Sequence, residues 1–233
     1  MIGIFGIYVN ATFSILGQLH MRILVFVIKI LLSLFSFILF RMTQPDLDFY
    51  SRQTAIVARG LLGKKLVRLY DDASGKPKRL SGIINETEAY GSKNDPASHA
   101  FNGITNRNSV MFGEVGKAYV YFVYGMHHCM NVTARAPTSE AGAVLIRSLL
   151  PLEGIDIMIA FYNVKDRLNL ANGPGKLTKA LDINRSHNGI NLADHGSALH
   201  IEDGIEPIKV ISTPRIGISR ATEKCWRYTI ARE

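Results

Sequence analysis

The chain has 233 residues, enough to bury a substantial core as one large domain or as a domain with an appendage. Its 27 Lys and Arg outnumber 19 Asp and Glu, a formal charge of +8 that is compatible with a polyanionic partner without establishing one. Cys129 and Cys225 are its only cysteines, so neither a disulfide framework nor a structural zinc is expected, and a reducing compartment is.

The first 42 residues read as the appendage. They hold Arg22, Lys29 and Arg41 but no acidic residue, and from Ile23 to Phe40 only Lys29, Ser33 and Ser36 interrupt an apolar run. The run is about long enough to cross a bilayer, although a Lys near its middle costs roughly 2.5 to 3.5 kcal/mol. Three readings stay open: a membrane anchor over residues 23–40, a signal peptide, and translated sequence upstream of a start at Met42. No small-x-small cleavage site follows Phe40, which weakens the second. Without these three basic residues, 24 Lys and Arg stand against 19 acidic residues, a formal charge of +5.

After Asp46, the residues Leu47, Tyr50, Ala55, Val57, Ala58, Leu61 and Leu62 recur at helical spacing and Gly63 supplies a stop, which predicts a packing helix. Lys64–Tyr70 alternates as a strand, residues 71–79 with Gly75 and Pro77 read as a hairpin loop, and Leu80–Ala89 is the partner strand. That strand runs out through Asn85-Glu86-Thr87-Glu88-Ala89-Tyr90-Gly91. Continued extension places Glu86, Glu88 and Tyr90 on one side, because side chains alternate with period two. A carboxylate on such rigid support can activate a water against an electrophilic carbon, so one of the two glutamates is the candidate for chemistry. The structural alternative is an ion pair with a nearby Arg.

Residues 91–111 carry Asp95, Pro96, His99, Asn102, Gly103, Asn106, Arg107 and Asn108 with almost no apolar periodicity, and long connections of this kind are usually functional or disordered. Lys117–Tyr124 then reads as a strand with Tyr119, Tyr121 and Val123 on one face and Val120, Phe122 and Tyr124 on the other, ended by Gly125. Tyrosine rings beside a polar loop suit stacking on nucleobases, worth roughly 1 to 3 kcal/mol each, and equally suit a sheet. His127–Arg135 and Ala143–Leu149 complete a β-rich middle. Pro151 opens a helix through Phe161, residues 172–175 turn into a helix over 176–181, and alternating runs follow at 198–202, 208–211 and 226–230. With no internal repeat, the chain from Met42 onward reads as one mixed domain.

Arg147 stands inside an apolar strand, where a guanidinium requires an acceptor, and Glu86 or Glu88 is the favoured one. Asn172-Gly-Pro-Gly-Lys176 can hold a phosphate at a helix start or simply turn the chain; its glycine spacing is not that of a P-loop. The adjacent His127 and His128 beside Cys129 lack the spacing of a shared metal site.

Taken in order, several blocks resemble the 3-methyladenine DNA glycosylases of the alkyladenine DNA glycosylase family. They are Asn85-Glu-Thr-Glu-Ala-Tyr90, Ser98-His99, Asn106-Arg-Asn108, Met111-Phe-Gly113, Tyr119-Val-Tyr-Phe-Val-Tyr-Gly-Met126, Cys129-Met-Asn131, Leu145-Ile-Arg147, Pro151-Leu-Glu-Gly154, Asn172-Gly-Pro174 and Arg215-Ile-Gly217. They span roughly residues 48–230, and their number and order make the match specific where no single block would.

The resemblance implies a single mixed α+β domain over residues 43–233, built on a curved, largely antiparallel β-sheet flanked by helices. It implies a monofunctional enzyme of base excision repair that flips an alkylated purine out of duplex DNA and hydrolyses its N-glycosidic bond, acting as a monomer in the cytoplasm at the nucleoid, without cofactor or metal. Glu88 matches the general base, while Arg147 and the backbone carbonyl of Ile216 match groups that hold the attacking water. Tyr90, His99 and Tyr121 match the base pocket, and Asn131 a pocket-floor residue that disfavours normal guanine. Tyr124 matches the residue that wedges into the DNA, with Met126 beside it. A binding module that keeps the fold without turnover is the competing expectation, opposed by the joint presence of Glu88, Arg147, Tyr90 and His99. Two features depart from the family pattern. The chain ends soon after the 226–230 strand, where relatives continue for several residues, so that edge is expected to be less complete, and the apolar segment before Met42 has no counterpart.

Overall fold

The structure, a computed structural model, describes residues 23, 25–31, 45–163 and 169–231. They belong to two units, residues 1–43 and 44–233. In the first, residues 25–31 are helical, and the remainder of the span expected over 23–40 lies outside the described residues. Among the described residues no helix is long and apolar enough to cross a membrane.

The second unit begins with two short helices, α1 (Leu47–Tyr50) and α2 (Thr54–Gly60), where periodicity predicted one. Asp46 caps α1 through its carboxylate, which accepts from the Phe49 N–H at 2.8 Å. The Ser51 hydroxyl and Arg52 Nε then donate to the carbonyls of Leu47 and Phe49 at 2.8 and 2.9 Å, satisfying the helix end and stopping it.

Strands β1 (Lys65–Asp71) and β2 (Pro77–Tyr90) form an antiparallel hairpin. Its loop is shorter than expected because Asp72 Oδ1 accepts from the N–H groups of Ser74 and Lys76, so β2 begins at Pro77 rather than Leu80. After α3 (Ser109–Phe112) come β3 (Ala118–Val123), β4 (His127–Thr133) and β5 (Ala143–Glu153). Pro151 was expected to open a helix, but β5 continues past it because Gly82 still pairs with Pro151 and Ser81 with Glu153. Only at Gly154, with φ +70°, does the chain turn into α4 (Ile155–Tyr162); a side chain there would meet the Arg79 carbonyl at 2.8 Å. Helix α5 (Pro174–Ala180) and strands β6 (Leu199–Glu202), β7 (Val210–Thr213) and β8 (Arg227–Ile230) complete the unit.

Among the described residues the eight strands make one sheet in the order β3-β4-β5-β2-β1-β6, with every pairing antiparallel. Strand β2 is its axis. One edge pairs with β5 between Ser81 and Tyr90, while the other pairs with β1 along its first half and with β8 at Glu86–Glu88, and β8 carries β7. The unit is thus a mixed α+β domain on a curled antiparallel sheet, as the resemblance implied.

Alternation gives this sheet two faces. Thr87 and Ala89 of β2, Ala118 and Val120 of β3, Met130 and Val132 of β4, and Val144 and Ile146 of β5 are buried, and all but Thr87 join the main apolar core with α2, α4 and α5. The intervening residues point the other way: Glu86, Glu88 and Tyr90; Tyr119 and Tyr121; Cys129 and Asn131; Ala143, Leu145 and Arg147. A smaller apolar cluster, Ala100, Met111, Tyr119, Ala141 and Ala143, lies on that second face under the 91–111 connection.

That connection is not structureless. Asn108 staples it by donating to the carbonyls of His99 (2.7 Å) and Gly103 (3.0 Å) while accepting from the Thr105 N–H at 2.6 Å. Ser98 donates to the Gly91 carbonyl at 2.6 Å. Asp95, fully buried, accepts from both terminal nitrogens of Arg215 at 2.7 and 2.6 Å and from the Gly91 N–H at 2.9 Å. Arg215 also bonds the Ala89 carbonyl (2.9 Å), and its guanidinium carbon lies 4.7 Å from the Tyr90 ring centroid and 5.4 Å from that of Trp226.

Burial opposes ionisation of Asp95, but the Arg215 and Gly91 bonds outweigh it and hold the carboxyl below the usual aspartate range. Because the folded value is the lower one, the pair's contribution is present above the unfolded-chain value of about 3.9 and is lost as pH falls through the folded value. Asp95→Asn is therefore expected to lower unfolding free energy at neutral pH by about 3 to 5 kcal/mol in urea titrations. The variant should also lose less stability than the native chain on acidification below about pH 4; equal acid sensitivity would contradict the assignment.

Candidate active site

The expected residues converge on the second face of the sheet. The register places Tyr119 opposite Asn131, Asn131 opposite Leu145, Leu145 opposite Glu88 and Glu88 opposite Arg227, a row across five strands. Tyr121 and Cys129 are paired in the neighbouring row.

Glu88 has no exposed surface. Its Oε1 accepts from the Ile216 N–H at 2.7 Å, and its Oε2 accepts from the Tyr90 hydroxyl at 2.9 Å and Arg147 Nη1 at 3.2 Å. The contact from Ile216 is therefore made by its N–H, whereas the resemblance had singled out its carbonyl. Glu86 is held differently, its Oε1 lying between Arg147 Nε at 2.8 Å and Arg227 Nε at 2.6 Å. The guanidinium of Arg147 thus bridges both glutamates, which answers the need read from its apolar strand.

Local irregularity makes the bridge possible. Strands β2 and β5 keep one register on either side of this point, but Asn85 and Arg147 are each left without a directly opposed residue, with shifts between Ile84 and Glu86 and between Glu86 and Thr87. Burial, and then the charge of Glu88, push the Tyr90 hydroxyl well above the usual tyrosine range, so it remains a donor.

All three donors to Glu88 also line a cavity of about 380 Å³, together with His99, Tyr121, Asn131 and Tyr124. The His99 ring meets Tyr121 edge-on with centroids 4.7 Å apart, and His99 Nδ1 lies 3.0 Å from the Tyr119 hydroxyl. Tyr119 and Tyr121 have centroids 5.2 Å apart at 35°. Burial, and secondarily the charge of Arg107, lower the pKa of His99, which keeps the ring neutral at neutral pH. Asn131 is 4% exposed and turns its amide nitrogen to the Tyr119 carbonyl at 3.0 Å.

Tyr124 stands at the tip of the β3–β4 hairpin. It and Gly125 both have left-handed φ angles, 54° and 69°, and the Met126 N–H returns to the Val123 carbonyl at 3.3 Å. The reversal removes Tyr124 from the strand's alternation, so it lines the same cavity as Tyr121 despite the odd-even expectation. Tyr124 is 85% exposed and Met126 69% exposed; Met126 stands outside the cavity lining.

Arg107, Arg227 and the Asp95–Arg215 pair were not singled out from sequence as parts of the site. Arg227 lies in an alternating run, where a cation reads as a solvent-facing residue, whereas Arg147 interrupts an apolar one. In the Asn172–Lys176 turn, Lys176 Nζ donates to Asn172 Oδ1 at 2.7 Å. A larger cleft of about 620 Å³ borders α1 and residues 135–140, but it contains none of the expected site residues. Of its charged groups, Lys117 meets Glu114 at 3.0 Å and Glu140 meets Lys93 at 2.5 Å, whereas Nη1 of Arg135 is buried without a hydrogen-bond partner among the described residues.

Residues 48–233 match the methylpurine-DNA glycosylase family. A relative from Carboxydothermus hydrogenoformans is 46% identical over 184 residues, covering 78% of this chain and 92% of its own length. Relatives from Methanocella arvoryzae and Prosthecochloris aestuarii are 44% identical over 185 residues and 43% over 189, covering 78% and 79% of this chain and 89% and 86% of their own lengths. All three bear the name "Putative 3-methyladenine DNA glycosylase". On the extent of that match the chain belongs to the methylpurine-DNA glycosylase family of N-glycosyl hydrolases.

Proposed function

We propose that residues 43–233 form a monofunctional glycosylase that flips an alkylated purine, of the 3-methyladenine kind, out of duplex DNA and hydrolyses its N-glycosidic bond. The observation that carries this reading is the shared geometry of Glu88 and the cavity: Tyr90, Arg147 and Ile216, which fix the carboxylate, are also walls of the space a base would enter.

In the proposed reaction Glu88 takes a proton from water as the hydroxyl adds to C1′, and the electron pair of the broken C1′–N bond leaves with the purine. Arg147 and Ile216 hold the carboxylate and, through the Ile216 carbonyl, the water. Negative charge on Glu88 also opposes the positive charge developing on the sugar. A purine that is already cationic leaves as a neutral base, so one carboxylate suffices and no acid need stand behind the leaving group.

Tyr90, His99 and Tyr121 would stack on the extruded base, offsetting an extrusion cost of a few kcal/mol. Their electron-rich faces attract a cationic ring. Asn131, on the floor, would disfavour guanine. Tyr124, with Met126 beside it, would fill the gap left in the duplex. The described residues lining the cavity include no lysine, which supports hydrolysis by water over a Schiff-base lyase. The reading takes the enzyme as a monomer at the nucleoid in the cytoplasm, without metal or cofactor.

Glu88→Gln is expected to bind duplex DNA containing 3-methyladenine or 7-methylguanine, in a gel-shift assay, yet release no free base; excision at the native rate would remove Glu88 from its role. Tyr124→Ala is expected to weaken lesion binding and slow single-turnover excision about tenfold or more, corresponding to the loss of at least about 1.4 kcal/mol. Native values for both would remove the wedge.

A further inference from the structure

Arg107 lines the cavity but has no part in holding Glu88. Its guanidinium carbon lies 4.9 Å from the centroid of the Tyr121 ring, on a side chain exposed at the cavity rim. The carboxylates of the surrounding segments are already engaged: Glu86 by Arg147 and Arg227, Glu88 by Arg147, Asp95 by Arg215 and Glu140 by Lys93. The two glutamates and two arginines around Glu88 sum to no net formal charge, whereas Arg107 adds a positive charge to the cavity wall without a carboxylate partner among the described residues.

We propose that Arg107 is a specificity-determining residue that reads the charge of the base, favouring neutral damaged purines over cationic ones. The inference rests on the glycosylase reading above. A base stacked on Tyr121 would lie within several ångströms of this guanidinium, near enough for a unit charge to matter at a partly solvated site. Breaking the C1′–N bond moves an electron pair onto the base whichever lesion is bound, so a cationic purine leaves neutral and a neutral purine leaves with negative charge that requires a proton from solvent. Arg107 favours that movement in both cases. The two lesion classes nevertheless differ by one unit of charge from encounter to transition state, and Arg107 disfavours the more positive of them throughout. The same guanidinium helps to hold His99 neutral, so its charge is not duplicated by the imidazole.

The test compares excision of 3-methyladenine, a cationic lesion, with excision of hypoxanthine, a neutral one, at sub-saturating enzyme, fixed salt and pH 8, by the native chain, Arg107→Gln and Arg107→Lys. Arg107→Gln is expected to raise the 3-methyladenine to hypoxanthine ratio by about three- to thirtyfold, the range for one screened charge at this distance, and Arg107→Lys to keep it near the native value. Equal loss on both lesions with a shallower salt dependence would mean a phosphate contact and overturn the proposal, as would an unchanged ratio. A native chain that releases neither base would instead refute the glycosylase reading itself. Circular dichroism and thermal unfolding check that both variants fold, as substitution of an exposed side chain allows.

Discussion

Two carboxylates and two guanidiniums packed on one face of the sheet, astride β2, determine what the rest of the domain must supply. Glu88 is fully buried and Glu86 and Arg147 nearly so, and an uncompensated charge in such a position costs several kcal/mol. Compensation requires three strands at once, because the glutamates come from β2, Arg147 from β5 and Arg227 from β8. A slip of one residue in β2 would send Glu86 and Glu88 into the apolar core and bring Thr87 and Ala89 to the cavity. The register of the sheet and the electrostatics of the site are therefore a single constraint. The irregularity at Asn85 and Arg147 is where the ladder yields so that one guanidinium can reach two acids.

A second constraint fixes the roof over this cluster. Asp95 and Arg215 are separated by 120 residues in sequence, yet their ion pair joins the 91–111 connection to the segment that follows β7. Arg215 also bonds the Ala89 carbonyl, next to Glu88 in β2. Holding Arg215 in place thereby fixes the adjacent Ile216, whose N–H is bonded to Glu88. The same connection delivers His99 and Arg107 to the cavity, with Asn108 setting its inner turns. Loss of the clamp would thus disturb the carboxylate and the aromatic wall together, although Asp95 touches neither.

Much of this was legible in the chain because it is written in period two. The alternation around Glu86, Glu88 and Tyr90, the face shared by Tyr119 and Tyr121, and the demand of Arg147 for an acid all follow from local pattern and burial cost. The break between α1 and α2 was missed because side chains of Ser51 and Arg52 satisfy the end of the first helix, a competition that apolar spacing does not register. The continuation of β5 through Pro151 depends on pairing with Gly82 and Ser81, some 70 residues away. Arg227 and Arg215 were hidden for a related reason: a charge in an alternating strand or a loop reads as solvent-facing, and only the assembled sheet says which partner it finds.

The hairpin tip obeys a different economy from the charge cluster. A tyrosine in the left-handed region costs roughly 1 to 2 kcal/mol over an ordinary conformation, and glycine at that position would avoid the cost. Tyr124 nevertheless occupies it, and Phe122, Tyr124 and Met126 are 46%, 85% and 69% exposed, so their side chains contribute little to the core. Strain and exposed apolar surface without a folding benefit are what the wedge role proposed for this tip requires. The ion pairs of Glu86 with Arg147 and Arg227, in contrast, tie together the three strands whose register builds the domain. Changes at the tip should therefore separate recognition from folding, whereas changes at Glu86 or Arg147 will mix the two.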